Sequence, residues 1–498
     1  MKYFKIILHL TWIFILSLRL TSTLHAEQKT LHVPAAIHIS SNISDGKLTI
    51  EQLAKIAHEN NIKVIVFGDH LLVKIEYGIW PLRRIIKKTI ERESVFKYGI
   101  KNYLNEIKRV QEKYPDIVLI PGAEVTTFYY WTGNPFKKNL KLHNWNKHIL
   151  IAGLYEEADY KGLPILSGYS ENLGKFNPIL LWPLALIFLA PIFFRIRSHN
   201  FKDLFGRQWG PYSKKWKKFG IFLILFSILM LVNNYPFREI IYDPYKITSS
   251  IGPYQNLIDY VNQKGGVTYW AHPEADNKNR APDIDVVTPP YPQDLFRAKN
   301  YTGYAILYEG YKEIGRPGGI WDSLLDEYCK GERHSPIWAI GELDFETSGS
   351  FDDSFRDLST VLLVPSLTRK HAMKALQTGK MYVIRGQGPF VPVLDEFSIK
   401  GEQNERPGSV GDTVNLKSKP IITIKAHAEC NEGPPIEKIN VKLIRNGQIV
   451  KLFETPYPVN IEYADNYFVQ GETVNYRLEI NFPKKLIITN PIFVRFKF

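Results

Sequence analysis

The sequence predicts an α/β fold that is interrupted by an apolar helical hairpin and followed by a β-sandwich of immunoglobulin-like character. Three observations carry this expectation. Apolar, β-rich runs alternate with amphipathic helical stretches over Leu31–Gly153 and again from residue 253. Two uncharged runs, Ile179–Phe194 and Phe219–Val232, separate those halves. From about Pro389 the chain changes to short β-rich segments divided by Gly, Pro and Asn. With 498 residues, 45% hydrophobic and 23% charged, the chain has material for two or three folded units.

In chain order, Met1–Ala26 opens on Lys2 and Lys5, continues through IILHLTWIFILSL and ends in small residues. This is the pattern of a secretory signal or N-terminal anchor, which places the succeeding domain outside the cytoplasm. Residues 27–177 form the first part of the α/β unit. Strand AAIHI leads to helix TIEQLAKIAHENN, where Thr49 and Gln52 can form a capping box and Ile50, Leu53, Ala54 and Ala57 make one apolar face. Strand KVIVFG, a helical region around 81–113, strand IVLIPGAEV and strand HILIAGL come next. Strands separated by helices imply parallel βαβ units.

Residues 178–235 are read as a transmembrane hairpin. Each apolar run is short for a bilayer of about 30 Å, but the two come as a pair, and Trp182, Trp209, Trp216 and Tyr235 near their ends suit an interfacial belt. The loop 195–218 holds eight basic residues against Asp203, about half of the formal excess of +13. Such a loop stays cytoplasmic. It also accounts for the basic balance without a nucleic-acid partner, so the bilayer is the macromolecular partner expected. Residues 236–388 resume the alternation with helix YQNLIDYVNQ, strand VTYWAH, strand YAILYE, helix WDSLLDEY, strand PIWAIGELD and a Gly-stopped helix SLTRKHAMKALQTG. In 389–498, Asn446-Gly447 between KLIR and QIV marks a β-hairpin. Cys329 and Cys430 are read as two unpaired thiols.

The chemistry is concentrated at strand ends. AAIHI ends at His38 and runs into a turn holding Asp45; VIVFGDH ends in Asp69 and His70; IVLIPGAEV carries Glu124; GVTYWAHPE carries His272; and IWAIGELDFE carries Asp344 and Glu346. In parallel α/β sheets the active site lies at the carboxyl ends of the strands. Five runs that each deliver an imidazole or carboxylate there suggest one shared centre for Zn, Mn or Fe. Asp45 can equally cap its turn, and Asp69 can position His70 without touching a metal. Glu309, at the end of YAILYE, and Arg316, in a following loop, are candidate pocket residues that surface roles would explain as well.

Taken together these residues resemble the polymerase-and-histidinol-phosphatase (PHP) family of metal-dependent phosphoesterases. That family opens with His-x-His and a Ser-Asp-Gly turn, here His38-Ile39-Ser40 and Ser44-Asp45-Gly46. An Asp-His, a Glu and two separate His match Asp69-His70, Glu124, His148 and His272, and the closing Asp-x-His matches Asp344-Phe345-Glu346. WDSLL, GELDFE and ALQTGKMYVIRGQGP are similar to the branch that includes carbamate-ester hydrolases, often joined to a β domain. The resemblance implies a distorted (β/α)7 TIM-like barrel holding two or three divalent ions. Glu124, His148 and His272 would form one site, and His38, Glu124 and Asp344 a second, one ligand short at Ser40. Asp45, His70 and Glu346 would form a third, with carboxylate in place of imidazole. The implied reaction is hydrolysis of a small phosphoester by water activated at the ions, with no side-chain nucleophile. Carboxyl or carbamate ester hydrolysis at the same ions is the alternative within enzymes. A degenerate, non-catalytic binding module is the alternative outside them, given Ser40 and Glu346.

Overall fold

The computed structural model describes residues 30–165, 174–196, 201–202, 208–209, 213–240, 242–246, 250–281, 284–345, 351–387, 390–402, 405–429 and 438–497. The leader expected over 1–26 lies outside them.

Strand β1 (Leu31–Ile39) is followed by helix α1 (Ile50–Glu59) and strand β2 (Val64–Phe67). Helix α1 begins on the capping box anticipated at Thr49 and Gln52, and its whole apolar face is buried. The cap stabilises by about 1 kcal/mol, and burial of Ile50 and Leu53 contributes roughly 1.5–3 kcal/mol each. The helical region expected around 81–113 starts late. Lys74–Gly78 and Lys87–Glu91 pair as an antiparallel β-hairpin, and the helix is confined to one short turn, Val95–Tyr98, and α2 (Ile100–Lys113). Pro81 and the β-branched run Ile85, Ile86, Thr89 and Ile90 disfavour a helix there.

Strands β3 (Val118–Ile120), β4 (Gly122–Thr126) and β5 (His148–Ala152) come next. After the apolar helices α3 (Pro183–Arg195) and α4 (Lys214–Asn234), helix α5 (Gly252–Gln263) leads to strands β6 (Val267–Trp270) and β7 (Gly303–Leu307). Helix α6 (Ile320–Cys329), strands β8 (Trp338–Gly341) and β9 (Leu358–Val364), helix α7 (Arg369–Thr378) and strand β10 (Met381–Arg385) complete this part. Strand β1 is parallel to β2, and β2 to β3. In a second sheet β6, β7 and β8 are parallel. The two sheets meet twice. Strands β3 and β4 are separated by Pro121 alone. The segment after β8 returns to β1, where Leu343 N–H donates to Ile37 O at 2.8 Å and Phe345 N–H to His38 O at 3.1 Å.

Strand β5 departs from the parallel expectation, being antiparallel to both β4 and β6. A parallel return requires a crossover, usually a helix on the sheet face. The link from β4 to β5 instead carries two short paired strands, Tyr130–Thr132 and Lys141–His143, so the chain reverses direction.

Helices α3 and α4 pack on each other. Gly220 lets them approach, since a Cβ there would meet Phe194 Cε1 at 2.7 Å, and Ser227 Oγ donates to Pro183 O. The segments Pro178–Arg195 and Lys214–Asn234 have mean hydropathies of 1.9 and 1.7 and are only 11% and 22% buried. By length and composition they can cross a membrane, and they do not form part of the domain core.

The C-terminal part is all β: β11 (Val391–Gly401), β12 (Pro420–Glu429), β13 (Lys438–Arg445), β14 (Gln448–Pro456), β15 (Val459–Ala464), β16 (Thr473–Phe482), β17 (Lys485–Thr489) and β18 (Ile492–Phe496). Strands β11, β12 and β15 form one sheet, while β14, β13, β16 and β17 belong to another. Phe397, Ile422 and Ile424 from the first share a core with Val441, Leu478 and Ile480 from the second. Asn446 and Gly447, at φ of 46° and 78°, make the β13–β14 turn, as the dipeptide requires. Strand β17 pairs with β10, so the sheet runs on into the α/β part.

Candidate metal centre

The site is built at one rim by the ends of different strands. Glu124, buried on β4, is its hub. His70, just beyond β2, places Nδ1 3.0 Å from Glu124 Oε2 and Nε2 3.1 Å from Asp45 Oδ2. His148, the first residue of β5, places Nδ1 2.5 Å from Glu124 Oε1. His272, just after β6, has Nε2 at 3.2 Å from the same oxygen. His38, near the end of β1, has Nε2 at 3.6 Å from both Glu124 Oε1 and Asp344 Oδ1. Two groups, His70–Glu124–His148 and His38–Glu124–Asp344, each bring their ligand atoms within 4.8 Å of one another. His70 thus reaches Glu124 as well as Asp45. Glu346 lies outside the described residues.

Local backbone geometry aims these side chains. His38 is the extra residue of a β-bulge, where the β1–β2 register shifts between Ile37 and Ile39. Such bulges redirect a side chain. Gly68 makes room for it, because a Cβ there would lie 2.2 Å from His38 Cδ2. His38, His272 and Asp344 all have positive φ, at 67°, 30° and 47°. A left-handed backbone is costly for these residues, and such strain concentrates at functional sites.

Supporting residues fix the arrangement. Glu342, buried and unmarked by the sequence reasoning, accepts from His38 Nδ1 at 3.1 Å and from the backbone N–H of His272 at 2.7 Å. One carboxylate thereby orients two of the histidines and turns His38 Nε2 toward the centre. Glu342 lies in the same short segment as Asp344, just beyond the end of β8. Asp69 belongs to neither ligand group. It accepts from Ser41 N–H at 2.8 Å, Ser41 Oγ at 2.9 Å and Ser44 Oγ at 2.9 Å, holding the turn that carries Asp45. Burial pushes its carboxyl up to about 6 against those bonds. Ser40 is buried and donates to Gly68 O at 3.4 Å. Glu309 and Arg316 are exposed and outside both groups.

Electrostatically the centre is strongly coupled. Burial disfavours the Glu124 carboxylate, but His148, His38 and His70 outweigh it and hold the group well below the usual range. Burial likewise opposes protonation of His38 and His70, yet the surrounding carboxylates raise both well above an ordinary imidazole. His272 is raised to about 9, burial being outweighed by its bond to Glu124 and the charges of Glu342 and Asp344. At His148 burial wins and the imidazole is lowered. His38 Nε2, His148 Nε2 and His272 Nδ1 are buried with no hydrogen-bond partner among the described residues. Orphaned ring nitrogens beside buried carboxylates form a donor set that a divalent cation would satisfy. Asp344, at 40%, and Asp45, at 35%, are the most exposed side chains here and mark the open side.

No protein-family model matches the sequence, and no curated protein does. Among solved structures, one match is a two-domain protein from Bacteroides vulgatus containing a predicted PHP-like metal-dependent phosphoesterase, at 11% identity and a TM-score of 0.35, covering 90% of each chain. A second is a putative metal-dependent phosphoesterase from Bifidobacterium adolescentis, at 14% identity and a TM-score of 0.28, covering 64% of this chain and 89% of the other. A third is an amidohydrolase from Chromobacterium violaceum, solved with sulfate and no metal, at 14% identity and a TM-score of 0.26, covering 63% and 88%. Scores this low decide neither fold nor chemistry, so the site is judged on its own side chains.

Proposed function

We propose that this chain is a membrane-tethered, metal-dependent hydrolase of PHP type that cleaves a small phosphoester with water. The observation that carries the reading is the convergence of His38, His70, His148 and His272, from four different strands, on the single buried carboxylate of Glu124. The seven-stranded barrel is supported by the backbone bonds that link the segment after β8 back to β1. The tether is supported by the paired apolar helices and the basic loop between them. In this reading 178–235 interrupts the barrel of 27–177 and 236–388, the β-sandwich of 389–498 is immunoglobulin-like, and both face the extracytoplasmic side.

The residues fit divalent ions. His70, Glu124 and His148 would hold one, and His38, Glu124 and Asp344 another, with His272 beside Glu124 and Asp45 beside His70. When bound, such ions acidify water and offset the charge that develops on phosphoryl oxygens. The chain's own groups do the rest. Glu342 keeps the Nδ1 proton of His38, leaving Nε2 as the donor. Burial opposes protonation of His148, which leaves one of its ring nitrogens with a lone pair for an ion. Asp69 holds the turn that brings Asp45 to His70. The carboxylates of Glu124, Glu342 and Asp344 compensate the positive charge that ions would introduce.

Elemental analysis of the detergent-purified protein tests the metals. Two or three ions per chain are expected; less than one, with Glu124→Ala changing nothing, would leave only a binding module. A panel of phosphate, carboxyl and carbamate model esters tests the reaction. Turnover of the last two alone would reject the phosphoesterase reading and keep the metal centre.

A further inference from the structure

The β-hairpin Lys74–Glu91 is not explained by the metal centre, although it is rooted there. Its first strand begins four residues after His70, and the chain leaving its second strand returns to the same point, with Val95 N–H donating to His70 O at 3.0 Å. The root is clamped by Trp131 Nε1, which donates to Glu76 O at 2.9 Å. The tip, 79–86, reaches the end of α4. Asn233 accepts from Arg84 N–H at 3.1 Å and donates to Pro81 O at 3.2 Å, and the Arg84 guanidinium donates to Tyr235 O at 2.5 Å.

At that junction the tip exposes an apolar surface. Trp80 is 75% exposed, and Ile79, Ile85 and Ile86 are exposed beside it. Phe176, Ile179, Trp182 and Tyr235, at the ends of the apolar helices, are exposed as well. Basic residues flank this surface: Arg83 lies over the Tyr245 ring and Lys88 is exposed on the second strand, where Lys87 pairs with Glu76 at 2.9 Å. Aromatic and branched apolar tips rimmed by Lys and Arg suit the head-group layer of an anionic bilayer, where the rings enter the acyl boundary and the cations stay with phosphates.

We propose that the tip of this hairpin docks into the anionic lipid surface alongside the helix pair, holding the metal rim face-on to the membrane. The proposal rests on the tether reading. Continuity with the helix ends and charge complementarity select lipid over a protein partner. Strands of five residues span about 17 Å, so the rim at the hairpin's root is held at about that distance from the head groups, with a fixed orientation that a tether alone would not impose.

The test uses the full chain reconstituted in nanodiscs of phosphatidylcholine with about 30% phosphatidylglycerol, carrying brominated acyl chains that quench nearby indoles. The chain has ten tryptophans, so the readout is the difference between wild type and Trp80→Phe. A quenched component is expected in the wild type, absent from Trp80→Phe and reduced at least twofold by Lys87→Glu/Lys88→Glu or by discs of phosphatidylcholine alone. Equal quenching of wild type and Trp80→Phe in a chain that resists alkaline carbonate extraction overturns the docking and leaves the tether standing. Release by carbonate overturns the tether, and the docking with it. Equal quenching of wild type and the double charge reversal overturns the anionic selectivity.

Discussion

Two clusters of buried charge in this molecule are built to opposite rules. At the junction of α6 and β16, Arg477 is fully buried and donates through Nε and Nη2 to Asp322 at 2.7 Å each, and through Nη1 to Glu479 at 3.4 Å. Lys442 Nζ and the Tyr311 hydroxyl complete Glu479, and Gly318 N–H completes Asp322. At the rim, by contrast, His38 Nε2, His148 Nε2 and His272 Nδ1 are buried with no hydrogen-bond partner among the described residues. Folding alone completes the first cluster. The described residues leave the second open, and its donor types point to a cation. Burial alone does not mark a site; the unmet valence does.

The largest effect should come from the hub. Glu124→Gln removes the carboxylate shared by both ligand groups. Bound metal should fall below one ion per chain and phosphoester turnover by about 10³-fold or more, the scale of several kcal/mol of lost charge stabilisation. The metal-free fold should lose stability as well, since the carboxylate that holds protonated His38 and His70 in place is gone. Retained metal in Glu124→Gln would erase the contrast between the clusters. The mirror experiment is Arg477→Met, which strands Asp322 and Glu479 without a counter-ion. It should cost about 3–5 kcal/mol in denaturant unfolding while leaving the metal content of the folded fraction unchanged. A loss under 1 kcal/mol would show that the junction is not held by its charges.

Much of this architecture was legible in the sequence. The capping box at Thr49, the turn at Asn446-Gly447 and the Gly379 stop are local chemistry, and local chemistry is what sequence displays. His38, Glu124 and His272 were visible because parallel strands deliver residues at their carboxyl ends. His148 violated that rule by preceding its strand, and only the family resemblance marked it. The structure gives the reason: β5 runs antiparallel, so its amino end lies at the rim where its neighbours' carboxyl ends lie. Strand direction depends on a distant connection and is not written in the strand. Glu342 was passed over because its partners, His38 and His272, are 304 and 70 positions away. The region expected as helix from about 81 takes in the hairpin's second strand, Lys87–Glu91, and the signal against a helix there is local: Pro81 and the β-branched Ile85, Ile86, Thr89 and Ile90.

Intermediate effects sharpen the contrast. Glu342→Gln keeps the shape but weakens the hold on His38 and His272, so metal affinity should drop about 10–100-fold with the ions still countable at saturation. Unchanged affinity would make Glu342 a bystander. The pH dependence should run in opposite directions with and without metal. His272 in the metal-free fold is raised from 6.5 to about 9, so its contribution to stability is present below 6.5 and lost as pH rises through 9. Metal binding must displace such protons, so affinity should climb over that same window by up to about tenfold per unit. A flat affinity profile between pH 6.5 and 9 would exclude His272 from the ligands.

The smallest effect uses Cys329 to report on the junction alone. It ends α6, the helix that carries Asp322, and Asn475 Nδ2 lies 3.8 Å from its sulfur. Burial pushes the thiol up to about 12, so at pH 8 only about 10⁻⁴ of it is thiolate, the form that reacts. Alkylation at Cys329, followed by peptide mapping, should be slow in the wild type and equally slow in Glu124→Gln, because losing the hub leaves the junction closed. Arg477→Met should accelerate it, since stranded carboxylates on α6 and β16 draw water to the thiol. If Glu124→Gln accelerates labelling as much as Arg477→Met does, the two clusters are one cooperative unit and their separation into a completed and an uncompleted network fails.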